Sequence, residues 1–400
     1  MKKYTSLMVV ATLGATLPLS GHVFAQDSTL KEVQNAISKG DTDISMRYRY
    51  ERVDQDSIDK TANASTLLTR LTYKSADLNG FYGVFEVDNI AAIGNENYNS
   101  TVNGNTVYPV VADPTLTEVN LAFVGYKTGG FDLSFGRQRI NHNDQRFVGG
   151  VAWRQNEQTY DAYRVQYADE GKFKFDYSYV YNVNRIFGPD SPNADLQGNI
   201  HLLNVNYNLD KTHKLTAYAY ELDFDTALAI STRTLGASYD GNVGDIKLHA
   251  AYAVQSDTGN NPNNFSTQYV ALELGTKVSA VNVGIGYESL GSDNGVGFTT
   301  PLATLHKFQG FADKFLNTPG VGVNDLYVKV SSKIGKINLT AVYHQLDSDV
   351  GSIDYGNELN LIATYPVADK VSLLLKYANY SADGFAVDTN KFWSMVNFKF

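Results

Sequence analysis

Two-residue alternation of apolar and polar side chains constrains this chain more than any other feature. In residues 44 to 51, Ile44, Met46, Tyr48 and Tyr50 fall on one face and Ser45, Arg47, Arg49 and Glu51 on the other. Successive side chains of an extended strand point to opposite faces, so such a segment carries one greasy and one charged surface. The pattern returns in Phe131-Asp132-Leu133-Ser134-Phe135, in Phe173 to Tyr181, and in Leu203-Asn204-Val205-Asn206-Tyr207-Asn208-Leu209. Strands are predicted over 42–52, 64–75, 80–90, 117–128, 130–140, 157–168, 171–183, 199–209, 213–224, 230–240, 244–255, 267–278, 280–290, 324–333, 336–346, 353–365, 370–380 and 390–400.

Connector lengths alternate as well. Tight turns at 127–130, 168–171, 240–244 and 334–336 stand between longer segments rich in Asn and Asp. In hydrocarbon every backbone group must be paired, and a closed sheet has no free edge. The expected fold class is therefore all-β: a transmembrane antiparallel up-and-down β-barrel of about 18 strands, with long extracellular loops, in the outer membrane. A soluble β-sandwich or β-helix accounts for the alternation, but not for the loop lengths together with an end at Phe392, Val396, Phe398 and Phe400. The last strand alternates to a terminal phenylalanine, which resembles the signal by which outer-membrane assembly machinery engages a barrel.

Composition agrees, since 27 Tyr, 20 Phe and 33 Gly against 9 Pro suit strands and turns. The absence of cysteine excludes disulfide frameworks, thiolate zinc sites and cysteine nucleophiles. At the N-terminus, Lys2 and Lys3 precede an apolar stretch from Leu7 to Leu19 and the small-residue site Val23-Phe24-Ala25. That order predicts a signal peptide over 1–25, a short periplasmic segment over 26–41 and the barrel over 42–400. Leu30, Val33, Ala36 and Ile37 predict a short amphipathic helix between Ser28 and Gly40. Removing Lys2 and Lys3 leaves 31 basic against 42 acidic side chains, a net charge of −11, which argues against a nucleic-acid partner.

Parity assigns the lumen. Arg47 and Arg49 oppose Tyr48 and Tyr50; Arg70 and Lys74 oppose Leu71 and Tyr73; Glu86, Asp88, Arg164 and Gln166 are luminal by the same argument. One reading makes these charges a cross-strand ladder that stiffens the wall. The other makes the guanidinium groups an anion path, their planar forks suited to carboxylates. Arg137 and Arg139 share the parity of Phe131, Leu133 and Phe135, so either they lie above the hydrocarbon or a bulge near Gly136 turns them inward; the bulge is the favoured reading. The loop from Asn141 to Asn156, with Asp144, Arg146, Trp153 and Arg154, is a candidate constriction. Between Gly291 and Gly322, Leu302, Leu305, Phe308, Phe311 and Phe315 need burial. An infolded loop with a helical turn supplies it and brings Lys307 and Lys314 toward the pore.

These residues resemble the alginate export porin family: Asp43 to Glu51, Gly136-Arg137-Gln138-Arg139-Ile140, Arg146-Phe147-Val148-Gly149, Trp153 to Glu157, and Thr300 to Phe308. The resemblance spans nearly the whole chain after the leader. It implies an 18-stranded barrel whose arginine-rich constriction passes an anionic polyuronate, with Arg47, Arg49, Arg70, Arg137 and Arg139 facing inward. The expected activity is passive diffusion of anionic, carbohydrate-like solutes (anionic oligo- or polysaccharide, or small solutes), with the lipid bilayer as partner and no cofactor, the alternative being a general or other substrate-specific porin without anion preference. An outer-membrane hydrolase is disfavoured, since His142, His201, His213, His249, His306 and His344 are scattered and the pairs His142 with Asp144 and His344 with Asp347 lack a nucleophile signature. An adhesin rests only on the long 91–116 and 291–322 loops. Asp347, Asp349 and Asp354 lack a full calcium ligand set.

Overall fold

The computed structural model of the chain describes residues 23–400, so nearly all of the predicted leader lies outside the described residues. Eighteen strands form one sheet: β1 (Asp41–Gln55), β2 (Ala62–Lys74), β3 (Phe81–Ala92), β4 (Leu116–Thr128), β5 (Phe131–Gln138), β6 (Thr159–Ala168), β7 (Phe173–Asn184), β8 (Asp195–Asn208), β9 (Lys214–Phe224), β10 (Thr232–Val243), β11 (Ile246–Asp257), β12 (Ser266–Val278), β13 (Val281–Leu290), β14 (Val323–Ile334), β15 (Ile337–Asp347), β16 (Asp354–Ala368), β17 (Val371–Ala382) and β18 (Thr389–Lys399). Each strand pairs antiparallel with the next, and β1 pairs with β18 from Ser45↔Lys399 to Gln55↔Thr389, which closes the ring. Every predicted strand is present. The largest shift is β8, which begins at Asp195 and not 199, because its polar start pairs with β7 above the region where lipid imposes alternation.

The wall is inside out relative to a soluble protein. Ile44, Leu71, Phe81, Phe85, Phe131, Leu133 and Phe135 are exposed, while Arg49, Glu51, Glu86 and Asp88 are buried. Only a hydrocarbon surround makes that arrangement favourable. Aromatic pairs tighten the outer surface, including Phe81 with Tyr126 (ring centres 4.5 Å apart) and Phe131 with Tyr167 (4.7 Å). Two-residue turns such as Gly129-Gly130 mark the periplasmic rim, and the long connections lie at the other end.

Helix α1 (Val23–Ser38) covers the predicted amphipathic segment. It does not enter the lumen: outward-facing Tyr73 donates to the Ile37 carbonyl at 2.5 Å, and the Ala76 amide donates to the Ala36 carbonyl at 2.9 Å. Ala36 is buried there and Leu30 and Ile37 stay exposed.

The apolar core sits inside the barrel. Ile140, Val148, Leu302, Ala312 and Phe315, from two long loops, pack against the luminal Tyr218, Tyr269, Tyr355, Tyr380 and Trp393. A smaller cluster joins Tyr98 and Val111 of the 93–115 loop to Val53, Ala62 and Ala64. The predicted helical turn in the longest loop is a short 3-10 turn at Leu305–Lys307. The Gly149 amide ties the two larger loops together by donating to the Leu302 carbonyl at 2.8 Å. The long loops thus fill the mouth and are not free surface arms of the kind an adhesin would use.

Candidate functional site

Arginines on β1 grip the backbone of the 139–158 loop inside the barrel. Arg47 donates to Gln155 Oε1 at 2.8 Å, to the Ala152 carbonyl at 2.9 Å and to the Arg154 carbonyl. Arg49 donates to the Trp153 carbonyl at 2.5 Å and to Glu51 at 2.9 Å, lies 3.6 Å from Asp113, and sits 4.4 Å from the centre of the Trp153 ring. A guanidinium suits this task because its donors are spread in a rigid plane and reach several acceptors at once. Asp113 also accepts from the Gln155 amide at 2.9 Å, so the 93–115 loop is held by the same joint.

Next to it stands a ladder of compensated charges. Arg70 holds Asp88 through two bonds of 2.7 and 2.5 Å, with Glu157 at 2.8 Å and Glu86 at 3.2 Å. Arg139 donates to Glu157 at 2.7 Å and also reaches Glu86. Asn120, the extra residue where β4 bulges against β3, donates to Glu86 at 2.7 Å. Arg164 pairs with Asp176 at 2.9 Å and donates to the Arg139 carbonyl at 3.0 Å. Burial opposes ionisation of Glu157, but Arg70 and Arg139 hold its carboxyl below the usual range. Glu86, Asp88 and Glu157 bring three carboxylates close enough to share a metal ion, yet Arg70 and Arg139 already place two cations among them.

The loop arginines join the two large loops to the wall. Buried Arg146 donates to Glu288 at 2.5 Å, to Thr300 at 3.0 Å and to Gln309 at 3.4 Å. Arg154 reaches Glu51 at 3.1 Å and Asp313 at 3.2 Å. Asp313 also binds Lys391 at 2.7 Å and His306 Nδ1 at 2.6 Å. Burial pushes the His306 imidazole down to about 3, so at neutral pH its Nε2 is free to accept from Lys376 Nζ, 2.6 Å away. Lys307 donates to the Asp144 carbonyl at 2.6 Å and Lys314 to Gln55 at 3.0 Å, both from the infolded loop.

Arg137 is a correction. It was expected to turn inward at a bulge near Gly136, but the β5 register runs unbroken past it on both sides, and its neighbours in parity, Phe131 and Phe135, are exposed. Arg137 stays on the outer wall, bonded to Asp161 at 2.9 Å and to the Val119 carbonyl at 3.0 Å. Gly136 does adopt a φ of +122°, and a Cβ there would meet the Ala122 carbonyl oxygen at 2.3 Å. Arg139 enters the lumen because the strand ends at Gln138 and the chain turns in. The histidine pairs read from the sequence do not form either: His142 Nδ1 lies 3.2 Å from the Tyr220 hydroxyl, and His344 Nδ1 lies 2.9 Å from Asp325.

Beneath the loop roof is a cavity of about 550 Å³, bordered by Trp153, His306, Phe308 and Phe311 above and by Glu273, Tyr327, Lys329, His344 and Lys376 of the wall. Sequence reasoning missed most of these wall residues. Lys329 and Lys376 were legible by parity, since Val328, Val330 and Leu375 beside them are exposed to lipid. Asp113 carried no such signal, because it lies in a loop with no period.

A closed antiparallel barrel with a lipid-facing belt and loops folded into its lumen is an outer-membrane protein of the porin kind. The family profile for alginate export matches residues 39–302, and the chain belongs to that family. Among solved structures, OpdO of Pseudomonas aeruginosa aligns with a TM-score of 0.70 at 10% identity, covering 92% of this chain and 99% of its own. OccAB4 of Acinetobacter baumannii gives 0.71 at 14%, covering 92% and 99%. The outer membrane protein opdK of Pseudomonas aeruginosa gives 0.69 at 13%, covering 91% and 99%. At these identities the likeness is one of fold. No curated protein matches the chain significantly.

Proposed function

We propose that this barrel is a passive diffusion channel, working without cofactor or energy source, that passes anionic carbohydrate-like solutes. The observation that carries the reading is the lumen itself. Loops 139–158 and 291–322 narrow it to a roofed cavity whose lining mixes aromatic faces with charged and hydrogen-bonding groups, a composition suited to selecting small polar solutes. The family description, alginate export, supports the polyuronate class. A second reading, a channel without anion preference, is favoured by one observation: Arg70, Arg139 and Arg164 all face carboxylates.

Recording from the reconstituted barrel in planar bilayers separates the two. Uronate oligomers added to either side should interrupt the current at lower concentration than neutral oligosaccharides of equal length. Equal interruption by both would remove the anion preference. In the same reading, residues 1–25 direct export and the strand ending at Phe400, whose amide bonds the Ile44 carbonyl at 2.9 Å across the seam, engages the assembly machinery. Deleting Phe400 should lower the yield of folded barrel in the outer membrane.

A further inference from the structure

Outside the lumen, at the periplasmic rim, helix α1 and the barrel wall border an apolar groove of about 390 Å³. The helix contributes Val33, Ala36 and Ile37, and the wall contributes Tyr73 with the outward-facing Phe81, Phe85 and Val124. The floor is Gly83, which shares the parity of Phe81 and Phe85 and pairs with Val124. A glycine inside a strand weakens it, and marks a bulge, a bend or a place where something approaches closely. Elsewhere in this barrel the reason is a neighbour: a Cβ at Gly125 would collide with the Tyr82 ring, and one at Gly286 with the Tyr327 ring. At Gly83 the nearest heavy atom is the Phe123 carbonyl oxygen at 3.9 Å, an ordinary contact distance, and the register of β3 with β4 is regular from Phe81 to Glu86. Among the described residues no protein group requires the missing side chain.

The helix above this floor leaves its apolar stripe uncovered. Its last turn is tied to the wall, where Tyr73 and the Ala76 amide donate to the Ile37 and Ala36 carbonyls. Of the helix side chains described, only Ala36 is buried. Leu30, Val33 and Ile37 form one stripe at helical spacing and are exposed, while Lys31, Glu32 and Asn35 turn the other way. The stripe runs without a break into the lipid-facing belt, since Phe81, Phe85 and Val124 are themselves exposed there. Phe81 stacks on Tyr126 near the short turns, the level at which an aromatic girdle meets the membrane interface. A short helix with one apolar face at that depth lies in the interface and buries the face among acyl chains.

We propose that the groove seats an acyl chain of a phospholipid of the periplasmic leaflet, with α1 lying across it as a clasp. Gly83 gives the chain its depth, Phe81 and Phe85 flank it, and Val33 and Ile37 cover it. The helix face with Lys31 and Asn35 stays with the headgroups. The stripe begins at Leu30, beyond the predicted leader, so removal of residues 1–25 keeps it whole.

The test uses the full barrel, reconstituted in vesicles of phosphatidylethanolamine and phosphatidylglycerol, extracted in mild detergent and weighed by native mass spectrometry. The wild type should keep one phospholipid under conditions that strip the others. Gly83→Phe places a ring in the groove and should lose that lipid. Val33→Asn/Ile37→Asn should lose it too, and it changes only exposed helix residues, so it keeps the test valid if the strand variant folds poorly. Wild-type retention in either folded variant overturns the site. A second barrel seated on the groove would appear as a dimer that the variants split, which also overturns it. The chain has no cysteine, so one fluorophore can be placed through Val33→Cys or, on the opposite face, through Asn35→Cys. Phospholipids brominated on their acyl chains should quench the label at position 33 far more strongly than the label at position 35. Equal quenching at both removes the helix from the interface and overturns the proposal.

Discussion

The two halves of the luminal wall use positive charge differently. On β1 to β6, Arg47, Arg49, Arg70 and Arg164 point inward and each is consumed by carbonyls or carboxylates. On β14 and β17, Lys329 and Lys376 point inward and meet no carboxylate. A guanidinium is planar and presents five donors, so it serves as a joint between several chain segments. An ammonium is a compact point charge and joins fewer segments. The first half therefore holds the loops that fold into the lumen, while the second half contributes cations that hold no loop backbone by a carboxylate joint.

Removing the joints is the strongest way to break this comparison. Arg47→Ala/Arg49→Ala/Arg70→Ala should release the 139–158 loop, raising single-channel conductance severalfold and adding gating noise; if only ion selectivity changes, the joint is not what holds the passage. Glu51→Gln tests the same joint from the acid side. It leaves Arg49 and Arg154 short of a counter-charge and should cost about 3–5 kcal/mol, read as an earlier denaturant midpoint in detergent. Arg47→Lys should give a smaller version of the triple effect, since a lysine cannot hold Gln155 and the Ala152 and Arg154 carbonyls together. Arg137→Ala, on the outer wall, should leave conductance and selectivity as they are and cost about 1 kcal/mol or less.

The smallest effect is one of pH. Burial pushes the Lys314 ammonium down to about 8, so it is charged below that pH and neutral above it. Reversal potentials measured from pH 6.5 to 9.5 should lose a little anion preference as pH rises through about 8. Lys314→Met should flatten the step, and a step that persists belongs to another group.

The barrel was legible because lipid enforces a rule on every strand. Where the chain leaves hydrocarbon, the rule lapses. That is why the polar start of β8 carries no strand signal, and why alternation alone does not place Arg137 at the upper end of β5. The infolding of the longest loop was legible from Leu302 and Phe315, which no exposed loop would carry; both are buried. Which acid meets which arginine was not legible. Glu157 with Arg70 and Asp113 with Arg49 join residues far apart in the chain, and no periodicity links a loop to the strand it rests on. The pairing within the ladder is consequently a property of the tertiary structure alone.

Arg47 and Arg49 hold the 139–158 loop by the carbonyls of three consecutive residues, Ala152, Trp153 and Arg154. Every amino acid brings the same carbonyl. At these three bonds the loop can exchange a side chain and keep the acceptor, while Gln155, Trp153 and Arg154 add contacts of their own. The grip of the two arginines is thus a property of the chain's backbone path more than of its side chains at these positions.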